Sequence, residues 1–252
     1  MAAGTDQQAA ASDTRARAAP EQVARLYQRL VATYGIPPWT PDGDALGGLV
    51  ATVLSQHTSD VNSTRAYAQL RQRFATWEAV RDAPVAALED AIRIGGLAAR
   101  KAVRIQRILR ALSQRAAGAE REAAAPVPLA QALDGLRALP LDDALAALRA
   151  LPGVGPKTAA CVLLFSLGQP AFPVDTHVWR VTKRLGLIAK QTTAEAAHAE
   201  LTRLFPPEWR HTLHVDLIQH GRQMCHARNP ACVSCPLRAE CQYYWDFVAS
   251  ER

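Results

Sequence analysis

Apolar residues recur at helical spacing along most of this chain, and nowhere do they alternate over a strand-length run. A period of 3.6 rather than 2 restricts the chain to helices that bury apolar stripes against one another, so the expected class is all-α. Val23, Leu26, Tyr27, Leu30, Val31 and Tyr34 form one face of a helix over 21–34, with Pro20 before it and Gly35, Pro37 and Pro38 after it. Leu46, Leu49, Val50, Val53 and Leu54 mark a second helix, which runs into the polar break SQHTSD and a third helix over about 61–74. Segments 84–94 and 98–115 read as two more, the latter with Ile105, Ile108, Leu109 and Leu112 on one face. The Ala-rich stretch 116–140 carries Pro126, Pro128 and Pro140 and reads as a loop or insertion with one short helix near 129–138. Helices follow from about 142, 156–167, 177–186, 193–204 and 208–223.

At 252 residues and 49% hydrophobic content, the chain can bury a real core. A formal charge of +6 favours a polyanionic partner without naming one. No apolar run is long enough to span a membrane. The start, residues 1–20, lacks the apolar core of a secretory signal and is expected to be a disordered tail. The expected compartment is the cytoplasm, where cysteines stay reduced.

The C-terminal segment CHARNPACVSCPLRAEC makes that last point matter. Cys225, Cys232, Cys235 and Cys241 stand at C-x6-C-x2-C-x5-C. Four reduced thiols in one loop call for a metal centre. A tetrahedral zinc site and a four-iron cluster both take four thiolates. Zinc sites usually pair two short knuckles, and only one pair here is that close, so the spacing favours the cluster. The fifth cysteine, Cys161, sits in an apolar helical run and reads as a small buried hydrophobe.

Two other segments carry chemistry. In LPGVGPKTA, residues 151–159, glycines allow a tight turn between two helices. The amides of Gly153, Val154 and Gly155 can then face outward at the start of the next helix, an anion site. The plain alternative is an ordinary interhelical turn. Lys157 sits in the first turn of that helix, against the positive end of its dipole. That placement costs something and invites a functional reading, the more so because lysine occurs only at 101, 157, 183 and 190. A similar stretch, IGGLAARKA at 94–102, places Lys101 behind a glycine turn and serves as its control. In FPVDTHVWRV, residues 172–181, Asp175 precedes a helix and reads first as an N-cap.

In order along the chain, LPGVGPKTA, PVDTH and the four-cysteine loop closely resemble the endonuclease III family, helix-hairpin-helix DNA glycosylases with an iron–sulfur cluster. The resemblance covers about 21–243. It implies two helical domains: a helical barrel over 38–169, with the helix-hairpin-helix at about 142–167, and an iron–sulfur cluster domain formed by 21–37 and 170–252. It implies Lys157 as the nucleophile, Asp175 as the essential carboxylate, and Cys225, Cys232, Cys235 and Cys241 as ligands of a 4Fe-4S cluster. Gln56 or His57 falls where the family inserts a polar side chain into the space left by an extruded base, and Arg222 and Arg228 fall where the cluster loop meets the backbone. The chain departs from the family pattern in three places. The 116–140 segment is long, Pro156 stands where Arg or Lys is common, and Arg228 is the only fixed cation between the first two cluster cysteines.

The implied activity is that of a bifunctional DNA N-glycosylase and AP lyase of base excision repair. It would remove oxidised pyrimidines such as thymine glycol from duplex DNA and nick the strand by β-elimination through a lysine Schiff base. The alternatives are the same scaffold acting on mismatched or alkylated bases, or a non-catalytic DNA-binding module with a structural metal. The expected partner is double-stranded DNA carrying a damaged base or abasic site, bound by a nucleoid-associated monomer.

Overall fold

The computed structural model describes residues 5–119 and 127–249. Among them there is no strand, and eleven α-helices joined by short 3-10 and π turns carry the chain. They form two compact units, one from Met1–Trp39 with Val174–Arg252 and the other from Thr40–Pro173.

The first helix, α1, spans Thr5–Tyr34 and so begins well inside the 1–20 stretch expected as a disordered tail. That stretch is rich in Ala, Gln and Arg, which cost little to hold in a helix. Pro20 removes one backbone donor without ending α1. Residues 1–4 of the expected tail lie outside the described residues.

The central unit runs through α2 (Ala45–Ser55), α3 (Asp60–Arg73), α4 (Trp77–Asp82), α5 (Val85–Ala91), α6 (Ala98–Ala119), α7 (Leu141–Arg149) and α8 (Pro156–Cys161). Short polar residues start three of these helices. Asp44 accepts from Gly47 N at 2.7 Å, Ser59 from Asn62 N at 3.4 Å and Thr76 from Ala79 N at 3.1 Å. The periodic residues named above fill the core: Leu46, Leu49, Val53, Ile105, Ile108 and Leu109 have no exposure at all. The six-residue α4 was not expected, because it is too short to display a period; its Thr76 cap was the available signal. Beyond 119 the insertion yields two 3-10 turns, Leu129–Gln131 and Asp134–Ala138, in place of one short helix. Residues 120–126 lie outside the described residues.

α8 passes directly into a π turn over Val162–Ser166. Here α2 comes close: a Cβ on Gly48 would collide with Ser166 Oγ. Glycine at 48 is thus a packing requirement that brings α2 against the helix carrying Lys157.

In the terminal unit α1 packs on α11 (Arg210–Gln223), and α11 packs on α9 (Thr176–Leu185), with α10 (Ala194–Leu204) alongside. Val23, Leu26, Leu30, Val178, Leu213 and Leu217 are buried among them. Gly186, at φ 78°, ends α9 in the left-handed conformation that glycine adopts without strain. Residues 225–241 follow α11 with only two 3-10 turns, Cys232–Ser234 and Arg238–Glu240.

Candidate nucleic-acid interface and metal centre

The hairpin joins α7 to α8 through Gly153, whose φ of 75° lies where residues with a Cβ are strained. The amide of Val154, expected to face outward, instead donates to Leu151 O at 3.2 Å, and its side chain is buried. Closing the turn and plugging the core take that residue out of any anion site. The amides of Gly153 and Gly155 make no backbone hydrogen bond among the described residues.

Lys157 lies one residue into α8, half-buried, with no hydrogen bond or ion pair from its Nζ among the described residues. Lys101 is its opposite. It is 4% exposed, and its Nζ donates to Leu54 O at 2.6 Å, Thr58 Oγ1 at 2.6 Å and Gly95 O at 2.9 Å. Burial lowers its pKa. Lys101 is an internal clamp that binds the end of α2, the following loop and the 93–95 turn. The two lysines share a local sequence pattern but not an environment, so Lys101 cannot serve as an inert control.

The clamped loop carries both residues expected to face an extruded base. Gln56 is tied at both ends: Arg104 donates to its Oε1 at 2.5 Å, and its Nε2 donates to Thr158 Oγ1 at 3.3 Å. His57 is exposed and holds a φ of 52°, an uncommon conformation for a residue with a side chain. Arg104 also lies over the hairpin: a Cβ on Gly153 would stand 3.0 Å from its Nε. Its role could not be seen in the sequence, since every contact it makes joins segments far apart in the chain.

Asp175 belongs to the terminal unit and caps α9, its Oδ1 accepting from Val178 N at 2.7 Å. The cap uses one oxygen; Oδ2 makes no hydrogen bond among the described residues. In the same unit Arg180 ties α9 to α11 by donating to Gly221 O at 2.9 Å and to Cys225 O at 3.0 Å. Arg222 and Arg228 are exposed.

Cys225, Cys232, Cys235 and Cys241 line one cavity with Arg184 and His220. No three His, Cys, Asp or Glu side chains among the described residues converge closely enough to chelate a single ion. Arg184 donates to Cys225 Sγ at 3.2 Å and to His226 O at 2.7 Å. His220 Nε2 lies 3.5 Å from Cys235 Sγ, and its Nδ1 lies 3.0 Å from the Tyr34 hydroxyl. Burial pushes His220 down to about 4, so the ring is neutral, and pushes Tyr34 up to about 12, with Cys235 and Asp216 adding to the rise. Burial first, then neighbouring thiols, raises Cys235 to about 11. Cys161 is buried and belongs to the central unit.

The sequence and fold of this chain are shared with known proteins. Residues 50–207 match the model of the HhH-GPD superfamily base excision DNA repair proteins. The chain belongs to that superfamily. It is 34% identical over 196 residues to the endonuclease III of Thermotoga maritima, covering 78% of this chain and 82% of that one. Against the endonuclease III of Sulfolobus acidocaldarius it is 30% identical over 202 residues, 79% of this chain and 82% of the relative. A relative from Arabidopsis thaliana is 38% identical over 183 residues, and the chain spans only 58% of its length. Among solved structures, a non-covalent endonuclease III–DNA complex superposes with a TM-score of 0.72 at 28% identity, over 91% of this chain and 98% of the other. A thermostable thymine-DNA glycosylase, 20% identical with a TM-score of 0.68, shares the fold. The all-α class and the helix-hairpin-helix glycosylase fold are thus those of an endonuclease III-like protein.

Proposed function

We propose that this HhH-GPD protein is a DNA glycosylase and AP lyase that removes oxidised pyrimidines from duplex DNA through Lys157. The observation that carries the reading is the contrast between its lysines: Lys101 is buried and fully bonded, whereas Lys157 leaves its amine uncommitted one residue past the hairpin. The Gly153 and Gly155 amides hold a backbone phosphate, which positions the strand without reading its sequence. The damaged base leaves the stack at a cost of about a few kcal/mol. The neutral Nζ attacks C1′, the C1′–N bond breaks, and the base departs with the electron pair and a proton. The C1′–O4′ bond of the lysine–sugar adduct opens, O4′ takes up a proton and a Schiff base forms; loss of a C2′ proton then breaks the C3′–O bond and expels the 3′ phosphate. Asp175, with Oδ2 uncommitted, stabilises the positive charge that develops on the sugar. Gln56 or His57 supplies the polar side chain at the vacated position, and Arg222 and Arg228 meet the backbone.

We assign a 4Fe-4S cluster to Cys225, Cys232, Cys235 and Cys241. The four thiols line one cavity, and their C-x6-C-x2-C-x5-C spacing lacks the second short knuckle usual in zinc sites. The high pKa of Cys235 fits as well, since buried neighbouring thiolates need compensating cationic charge. When bound, the cluster would cross-link the 225–241 loop rather than act on the sugar.

Borohydride trapping tests the reading on duplexes carrying an abasic site, thymine glycol, a G·T mismatch or no damage. Covalent adducts with the abasic and thymine glycol duplexes, lost in Lys157→Gln, are expected. An adduct that survives Lys157→Gln overturns the choice of nucleophile. Adducts only with the mismatch duplex overturn the choice of lesion.

A further inference from the structure

A cleft in the central unit lies beside the hairpin and is lined by Ala99, Arg100, Val103, Arg104, Arg107 and the Pro152–Gly153 turn. Arg100, Arg104 and Arg107 stand at i, i+4 and i+7 on α6, so they share one face. The opposite face is the buried one, with Ala102, Ile105, Leu109 and Leu112. No acidic side chain lines the cleft. Arg100 and Arg107 are exposed and make no hydrogen bond or ion pair among the described residues. The other α6-facing arginines differ. Arg81 has Asp82, and Arg110 reaches Gln106 Oε1 at 3.4 Å. Like charges one turn apart weaken a helix by a few tenths of a kcal/mol, so three guanidinium groups on one stripe, none paired with a carboxylate and only Arg104 bonded, to the neutral Gln56, point to an anionic occupant.

We propose that this cleft is a second seat for the DNA backbone, in which Arg100, Arg104 and Arg107 bind phosphates next to the one held by the hairpin amides. The proposal rests on the reading of the chain as an enzyme of duplex DNA. Two features specify the occupant. The cleft shares Gly153 with the hairpin, so a strand held there continues into it. The stripe also runs about 10 Å along the helix axis, whereas a strand offers one charge per about 3.4 Å of duplex axis. An extended polyanion matches that length, and a single free phosphate does not. Arg104 has a further part. It bonds Gln56 and overlies Gly153, so a phosphate that draws its guanidinium into the cleft loosens Gln56 from one of its two tethers.

Salt titration of binding to an undamaged duplex tests this, because log Kobs falls with log salt by about 0.9 per phosphate neutralised. Arg100→Gln/Arg107→Gln should flatten the slope by about 1.8, equivalent to an about 12-fold smaller loss of affinity over a fourfold rise in salt. Arg73→Gln/Arg110→Gln removes the same charge away from the cleft and should leave the slope unchanged. Circular dichroism checks that both variants fold. Equal slopes for wild type and the cleft variant overturn the cleft and leave the glycosylase reading intact. A wild-type protein that binds no duplex at low salt overturns the duplex-DNA reading and the cleft with it.

Discussion

Lys157 and Lys101 show how an environment separates two residues with similar neighbours in sequence. Lys157→Gln removes an uncommitted amine and should change stability by less than about 0.5 kcal/mol while abolishing the trapped adduct. Lys101→Gln removes the donor that Leu54 O, Thr58 Oγ1 and Gly95 O share, leaving Gly95 O with Thr58 Oγ1 alone, and should cost about 3 kcal/mol, seen as a lower urea midpoint. Lys190, which is exposed near Asp246, is the better control for trapping. Asp216 gives a pH signature. It is 1% exposed, its Oδ2 has no partner, and burial pushes its carboxyl up to about 7. Between about pH 4 and 7 the folded chain holds a proton that the unfolded chain has released, so stability is highest below the unfolded pKa and falls as pH rises through that window. Asp216→Asn should therefore raise the urea midpoint at pH 8, and the gain should shrink toward zero at pH 4. A gain that is constant with pH would show that ionisation is not its source.

At the scale of elements, the hairpin is the segment with least freedom to vary. Gly153→Ala meets both a left-handed backbone and the Arg104 side chain, and should cost about 1–2 kcal/mol by thermal or urea unfolding. Helix positions were legible because apolar period, caps and proline breaks agree: α2, α3, α6, α9 and α10 lie where the pattern put them. α4 was hidden by its shortness, and the π turn after α8 by the lack of any sequence signal for i→i+5 bonding. The outward amide expected of Val154 failed because its apolar side chain could be buried only by turning its N–H onto Leu151 O.

For the whole molecule, each unit has its own core, and the terminal one includes the 225–241 loop, which carries no α-helix. If the proposed cluster is bound, its oxidative removal should raise hydrogen exchange at 225–241, where the chain is held by 3-10 turns and side-chain bonds such as those of Arg184. The amides of 45–55 and 101–112, which lie over a buried apolar core, should keep their protection.

The sequence alone determined the helical class, the hairpin and the four thiols, and it singled out Lys157 and Asp175 as candidates, because each is a local pattern of residue type and spacing. Tertiary structure decided what those residues are free to do. It buried Lys101 and left Lys157 open, committed one oxygen of Asp175 to a cap, faced His220 toward Cys235, and set Arg104 between Gln56 and Gly153. Each of these outcomes depends on which distant backbone oxygen, ring or guanidinium group packs beside the side chain, and spacing along the chain does not encode that.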